Sequence, residues 1–179
     1  MPIQNSELLV ENITLESPKL RIENARGLLL EYGRFVAGQP GVASFCFGSL
    51  AREAEQLPAV YIENGGGAVL ASAGERPLGF VAWRALHSAE FADAWEIKRL
   101  WVRPEARGQG LGRKLVEIII ARALSVAKSH LLLDTVPEAM PEAFRLYQDL
   151  GFAPCPPYSG SGIPGIAYLS KRLAPSSKE

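Results

Sequence analysis

Three glycines and two arginines are packed into Arg107-Gly108-Gln109-Gly110-Leu111-Gly112-Arg113. Just before them lies Trp95 to Val102, an apolar-rich run that reads as a strand and is closed by Pro104. Just after them the apolar residues recur at helical spacing. The block therefore reads as a strand, a short loop and a glycine-rich helix start. Such a start exposes backbone N–H groups without intrahelical partners, at the positive end of the helix dipole. That chemistry suits a phosphorylated ligand.

Two other phosphate motifs compete for this block. A dinucleotide fingerprint needs G-x-G-x-x-G. Gly108 and Gly110 supply two of the glycines, but the third place holds Arg113; starting from Gly110 and Gly112 puts Leu115 there. Asp134 follows at a suitable distance, so that reading is weakened and not removed. A P-loop needs G-x-x-x-x-G-K-[ST], and Gly112-Arg113-Lys114-Leu115 has neither the spacing nor the hydroxyl. The plain alternative is that the glycines only turn the chain into the helix.

The elements that must position this turn are legible in outline. Gly110 to Lys128 predicts the longest amphipathic helix; Leu111, Leu115, Ile119 and Ala123 belong to a broad apolar face, while Arg113, Lys114, Glu117 and Lys128 gather opposite. Leu131 to Asp134 reads as a buried strand. Pro141 to Leu150 reads as a helix ended by Gly151. Upstream, Ile13-Thr14-Leu15 reads as a short strand. Ile22 to Val36 reads as a helix burying Ala25, Leu28, Leu29, Tyr32 and Val36, and Val42 to Leu57 as a second helix. Ala59 to Ile62 is apolar but short. Ala68 to Ser72 and Leu78 to Leu86 form a hairpin about Gly74-Glu75-Arg76-Pro77. Pro154 to Gly165 is a loop, and Ile166 to Leu173 a last strand. These alternations predict an α/β (α+β) domain over residues 1–173, one mixed sheet with helices on both faces, followed by a flexible tail at 174–179.

Composition narrows the classes. The chain has 179 residues, formal net charge zero, 47% hydrophobic and 21% charged residues, which suits one globular domain. No long-range field draws in nucleic acid or an anionic membrane. Cys46 and Cys155 make no disulfide framework, and His87 and His130 are far apart, so no metal is expected. No apolar run has the length of a membrane span, and Met1 to Glu7 lacks a signal-peptide pattern. A cytoplasmic location is the expectation.

Arg107-x-x-Gly110-x-Gly112, the flanking strand and helix, and Tyr147-Gln148-Asp149-Leu150-Gly151-Phe152 resemble the GNAT N-acetyltransferase superfamily. Glu96 to Pro104, then Leu133-Asp134-Thr135, then Leu146 to Phe152 resemble one bacterial subgroup of it. The likeness is specific from Glu96 to Phe152 and loose before Leu78. It implies a mostly antiparallel sheet with a splayed strand pair, and acetyl-CoA as co-substrate with no metal. The backbone from Arg107 through Gly108, Gln109, Gly110, Leu111 and Gly112 to Arg113 would then hold the coenzyme pyrophosphate. Backbone groups of Leu100, Trp101 and Val102 would bind the pantetheine arm and polarise the thioester carbonyl. Asp134 and Thr135 would flank the wedge.

The same resemblance puts Tyr147 at the place of a general acid that protonates the leaving thiolate. Its plain alternative is a helix tyrosine packed on the sheet. Glu96 would be a base for the acceptor ammonium, or an attractor of it; its plain alternative is an exposed glutamate paired with Lys98 or Arg99. One departure is Met140, where many relatives carry an asparagine seven residues before the tyrosine; Pro137 and Pro141 bracket it. Phe35, Phe45, Phe47 and Tyr61 either line an acceptor site or pack in the core, and Trp83 and Trp95 read as sheet packing. The implied activity is acetyl transfer to a primary amine on a small molecule or peptide, with no nucleic-acid or membrane partner and a homodimer left open. The rivals are a non-catalytic acyl-CoA-binding sensor and, more distantly, a nucleotide-binding reductase.

Overall fold

The computed structural model describes residues 7–39, 47–88, 90–91, 93–158, 162 and 164–173, with residues 47–49 described by backbone alone. The expected tail at 174–179, Phe45, and residues 42–46 of the expected second helix lie outside the described residues.

The chain runs β1 (Leu8–Ile13), α1 (Lys19–Ala37), α2 (Phe47–Glu55), α3 (Ala59–Ile62), β2 (Gly67–Ala73), β3 (Arg76–Leu86) and β4 (Ala94–Val102). It continues through a 3₁₀ turn (Pro104–Ala106), α4 (Leu111–Ser125), β5 (His130–Thr135), α5 (Pro141–Asp149), β6 (Ala153–Pro154) and β7 (Ala167–Arg172). One sheet of seven strands has the order β1-β2-β3-β4-β5-β7-β6. Every neighbouring pair is antiparallel except β4 with β5.

The structure differs from the sequence reading at several places: Pro154, expected in a loop, pairs with Leu169 in β6, and β3 begins at Arg76 and not Leu78, with Arg76 paired to Ala73. The first strand is Leu8–Ile13, not Ile13–Leu15, because Thr14 and Ser17 close a turn there: the Ser17 N–H donates to Thr14 O and the Thr14 N–H to Ser17 Oγ. The first helix starts earlier, at Lys19, since the Pro18 carbonyl accepts from the N–H groups of Arg21 and Ile22. Ala59–Ile62 is a short helix, seeded by the Pro58 carbonyl.

The two sheet faces carry separate cores. Leu115, Val116, Ile119 and Ala123 of α4 and Tyr147 of α5 cover one face, against Val81, Ile97, Leu131 and Leu133. Ala25, Leu28 and Leu29 of α1, with Leu50 of α2 and Tyr61 of α3, cover the other, against Leu70, Phe80 and Trp101. Trp83 and Trp95 are buried in the α4 side, with ring centroids 5.7 Å apart. Close approach of α4 to β3 requires a glycine: a Cβ at Gly79 would meet Leu115 Cδ1 at 3.0 Å.

Candidate active site

The site begins where β4 and β5 part. Their parallel pairing covers only Ala94/His130, Trp95/Leu131 and Glu96/Leu132. Beyond Glu96 the β5-facing edge of β4 has no strand to bond among the described residues, although β3 still pairs its other edge as far as Val102. An extended ligand backbone fits such an edge.

The strand changes phase inside this wedge. Ala82 pairs with Lys98, but Phe80 pairs with Trp101, so β4 holds one residue more than β3 between those pairs. Arg99 takes φ 59°, the left-handed region. Lys98 and Arg99 thereby both point to the α1 side: Lys98 to Glu96, and Arg99 to Glu53 of α2 and the Tyr32 ring of α1. After the bulge, Leu100 and Val102 pack toward α4 and Trp101 toward α1. A one-residue offset of this kind moves every later side chain to the opposite face.

At the C-terminal end of β4 the chain enters the glycine turn. Gly108 and Gly110 have φ 71° and 77°, and among the described residues a Cβ on either would meet no non-neighbouring atom within 4 Å. Gly110 is the N-cap of α4, and no side chain caps that helix. The N–H groups of Leu111, Gly112 and Arg113 therefore lack intrahelical acceptors. A cleft of about 770 Å³ joins this turn to the strand edge and to α5. Leu100, Trp101, Val102, Arg107, Gly108, Gly110, Leu111, Gly112 and Arg113 line it, facing Met140, Ala143 and Leu146. Gln109 turns its side chain away to the Glu105 carbonyl, at 3.3 Å.

The two arginines of the turn differ. Arg107 donates from Nε to the Val102 carbonyl at 2.9 Å, with its guanidinium 4.9 Å from the Trp101 ring centroid and 5.9 Å from that of Phe35. Arg113 pairs with Asp149 at 3.4 Å and Glu117 at 3.9 Å, both exposed contacts that a stronger anion can replace. Met140, at the unusual position, is the N-cap residue of α5 and a wall of the cleft.

Glu96, Asp134, Thr135 and Tyr147 stand outside the cleft wall. Glu96 is only 1% exposed, a buried carboxylate and not a surface one. It accepts from Arg84 Nε at 2.7 Å, Lys98 Nζ at 3.1 Å and the Tyr158 hydroxyl at 3.2 Å. Burial alone would raise its pKa, but the charges and hydrogen bonds of Lys98 and Arg84 hold it below the usual carboxylate value. Lys98 also reaches Asp134 Oδ2 at 3.5 Å, so Arg84, Glu96, Lys98 and Asp134 alternate in sign across β3, β4 and β5. Asp134 is the exposed anion at the end of this row, and Thr135 beside it is buried. Arg99 is engaged elsewhere, in a bidentate pair with Glu53 at 2.8 and 3.0 Å.

Tyr147 is 6% exposed, with its ring edge-on to Phe152 at 5.9 Å. Burial pushes its phenol well above the ordinary tyrosine value, with smaller contributions from Tyr32 and Asp134. Its hydroxyl therefore keeps its proton through neutral pH. Tyr61 is core, donating to Glu53 at 2.8 Å, while Phe35 is half-buried at the cleft. Phe47 is described by backbone alone.

Sequence reading missed Arg84, Glu53 and Tyr158, which reach the site from distant parts of the chain. It missed the bulge too, although the adjacent Lys98-Arg99 pair breaks the strand's alternation and is a visible signal.

Comparison with known proteins places this arrangement. The model of the acetyltransferase (GNAT) family matches residues 42–152, which include β4, the glycine turn and α5. An uncharacterised N-acetyltransferase of Schizosaccharomyces pombe is 40% identical over 90 residues, 50% of this chain and 55% of that protein. The chain thus matches little more than half the length of that relative. A GNAT-family acetyltransferase structure from Staphylococcus aureus Mu50 has a TM-score of 0.73 at 15% identity, covering 94% of this chain and 100% of that one. A GNAT phosphinothricin acetyltransferase from Sinorhizobium meliloti, solved with acetyl-CoA, has a TM-score of 0.70 at 17% identity, covering 96% of this chain and 92% of that one. At such identities the structures speak for the fold alone. The family match spans more than half of the chain and takes in the splayed strands with their uncapped glycine turn, so the chain belongs to the GNAT acetyltransferase family.

Proposed function

We propose that this protein is an acetyl-CoA-dependent N-acetyltransferase that acylates a primary amine. The observation that carries this reading is the single cleft joining an unpaired strand edge to an uncapped, glycine-opened helix start. Support for acetyl-CoA comes also from the relatives: the phosphinothricin acetyltransferase was solved with it, and so was a putative acetyltransferase of Salmonella typhimurium with a TM-score of 0.64.

The residues present fit that co-substrate. The glycine turn offers N–H groups for a diphosphate, with no Cβ at Gly108 or Gly110 to hold it off. Arg107 and Arg113 add charge-assisted bonds. The free edge of β4 at Leu100 to Val102 receives the pantetheine amides, and a strand N–H polarises the carbonyl. When bound, acetyl-CoA supplies an activated thioester. Tyr147, buried and protonated, donates to the departing thiolate sulfur.

The acceptor amine arrives as an ammonium. Asp134, exposed at the end of the charge row, meets it. Glu96 accepts from three donors, so it holds Lys98 and Arg84 in place and neutralises positive charge that would otherwise repel the ammonium. The ammonium proton leaves through water, the free amine bonds to the carbonyl carbon, the C–S bond breaks as Tyr147 protonates the sulfur, and the proton the nitrogen then sheds restores the Tyr147 phenol through water.

The test is incubation with acetyl-CoA and a panel of small-molecule and peptide amines, read by thiol release. Amine-dependent release is expected. Binding of acetyl-CoA without release for any amine would mark an acyl-CoA-binding sensor instead; no binding would overturn the reading.

A further inference from the structure

One face of the sheet carries a row of charges between two apolar banks. Arg84, Glu96, Lys98 and Asp134 share that face, because their strand neighbours Trp83, Trp95, Ile97 and Leu133 turn to the α4 core. On one side of the row lies the core beneath α1, α2 and α3. On the other lies a smaller cluster of Leu86, Phe91, Ala94 and Leu132, with Cys155 and Tyr158 packed against it.

The row is not uniform. Its inner members close on each other: Glu96 and Lys98 are 1% and 14% exposed and lie 3.1 Å apart. Its outer members stay open to solvent, Arg84 at 45% and Asp134 at 36%. Arg84 donates only from Nε, to Glu96, which fixes the plane of the guanidinium; its Nη1 and Nη2 groups have no acceptor among the described residues. Asp134 has one ion pair among the described residues, with Lys98 at 3.5 Å. A buried ion pair thus separates a free cationic fork from an open carboxylate. Such a fork takes a carboxylate in two parallel bonds, and an open carboxylate takes an ammonium.

Spacing sets the length of a ligand that meets both ends. Arg84 on β3 and Asp134 on β5 are two strand spacings apart, about 10 Å. One charge-assisted hydrogen bond at each end takes about 2.8 Å, which leaves about 4–5 Å between the ligand's nitrogen and its carboxylate oxygens. The amine and carboxylate of an α-amino acid share one carbon and sit closer than that. Two or three methylenes between the groups fit. Asp134 also marks the reacting end: after burial, Tyr32 and Asp134 contribute to the raised pKa of Tyr147, so this carboxylate stands near the proposed acid.

We propose that the groove takes a small ω-amino acid as the acyl acceptor, its carboxylate on the Nη edge of Arg84 and its ammonium on Asp134. This rests on the acyl-transfer reading above and adds the acceptor class to it.

The test is thiol release from acetyl-CoA with glycine, β-alanine, γ-aminobutyrate and ε-aminocaproate. Each is measured beside its amide, which keeps the length and removes the anion, and rates are referred to the free amine. The ratio of kcat/KM for acid over amide should be about tenfold or more for β-alanine and γ-aminobutyrate, the worth of one charged bidentate contact. It should stay within about threefold of one for glycine, which cannot reach both ends. The longer ε-aminocaproate should fall between, because its chain must bend to fit. Arg84→Gln should bring the ratio within about threefold of one at every length. Asp134→Asn should raise KM for acids and amides alike, since both bring the ammonium. Thermal midpoints report whether the variants fold, and the wild-type length series decides the matter without them. A carboxylate preference that does not vary with length would overturn the proposal, as the sign of a general field. So would a full preference retained by Arg84→Gln, or an unchanged KM in Asp134→Asn. Release with alkylamines but no preference for any acid removes the proposal alone. Acetyl-CoA binding without release for any amine removes the transfer reading and this proposal with it.

Discussion

Replacing Tyr147 by phenylalanine removes one oxygen and leaves the ring where it is. The ring is 6% exposed and edge-on to Phe152, contacts that phenylalanine keeps. Stability should change by no more than about 1 kcal/mol, a shift of a few degrees in Tm. Turnover should change far more, because the hydroxyl is the proposed donor to the leaving thiolate. General acids contribute about 10²–10⁴-fold. The lower half of that range applies here, since Asp134 and the glycine turn are exposed to solvent at the two ends of the site, and a thiolate is a fair leaving group. The expected loss is about 10²–10³-fold, or about 3–4 kcal/mol of barrier. The pH dependence has a definite sign. Burial raises the phenol's pKa, so the acid stays protonated to higher pH than a free tyrosine, and any alkaline fall in wild-type turnover from this group lies above about pH 10. The variant should lack that limb and show a constant deficit across neutral pH. The assay is steady-state thiol release with saturating acetyl-CoA and a responsive amine, together with calorimetric acetyl-CoA affinity, which should fall little. A well-folded variant with turnover within about threefold of wild type would refute the acid role and leave Tyr147 as packing.

Gly110→Val places a β-branched residue at φ 77° where no atom of the described residues opposes its Cβ; acetyl-CoA affinity should fall at least tenfold by calorimetry, at about 1–2 kcal/mol of backbone strain, and equal affinity would displace the diphosphate from this turn. Glu96→Gln leaves Lys98 and Arg84 without their shared anion, so KM for the amine should rise more than kcat falls, with no extra loss at low pH; a kcat loss confined to low pH would restore a direct base role. Glu31, Glu53 and Glu96 are all held below the usual carboxylate value. Their contribution to stability is therefore complete above about pH 4.5 and is lost as pH falls through the folded-state values. Thermal midpoints should drop across that window, and Glu53→Gln should lower the midpoint at neutral pH yet flatten the acid slope; an unchanged slope would contradict the assignment.

Local physics made much of this fold legible. Apolar residues at helical spacing define α4 whatever it packs against, and glycines without a Cβ at 108, 110 and 112 announce a backbone open to an anion. The hairpin, the last strand and the helix carrying Tyr147 are legible from turn residues and apolar patterning in the same way, while the two-residue β6 is too short to leave a pattern. Boundaries moved where a proline carbonyl or a serine–threonine turn intervened, as at Pro18, Pro58 and Thr14 to Ser17.

What the sequence determined by itself is the set of elements and the chemistry of the turn, because both depend on neighbours a few residues apart. The tertiary structure alone decided the electrostatic state of the site. Glu96 is buried because β3 brings Arg84 opposite it and the segment before β7 lays Tyr158 over it, partners 12 and 62 residues away. Arg99 leaves Glu96 for Glu53, 46 residues away, because the bulge turns it under α2. Burial and ion pairing depend on which distant segments meet, and no periodicity along the chain records that.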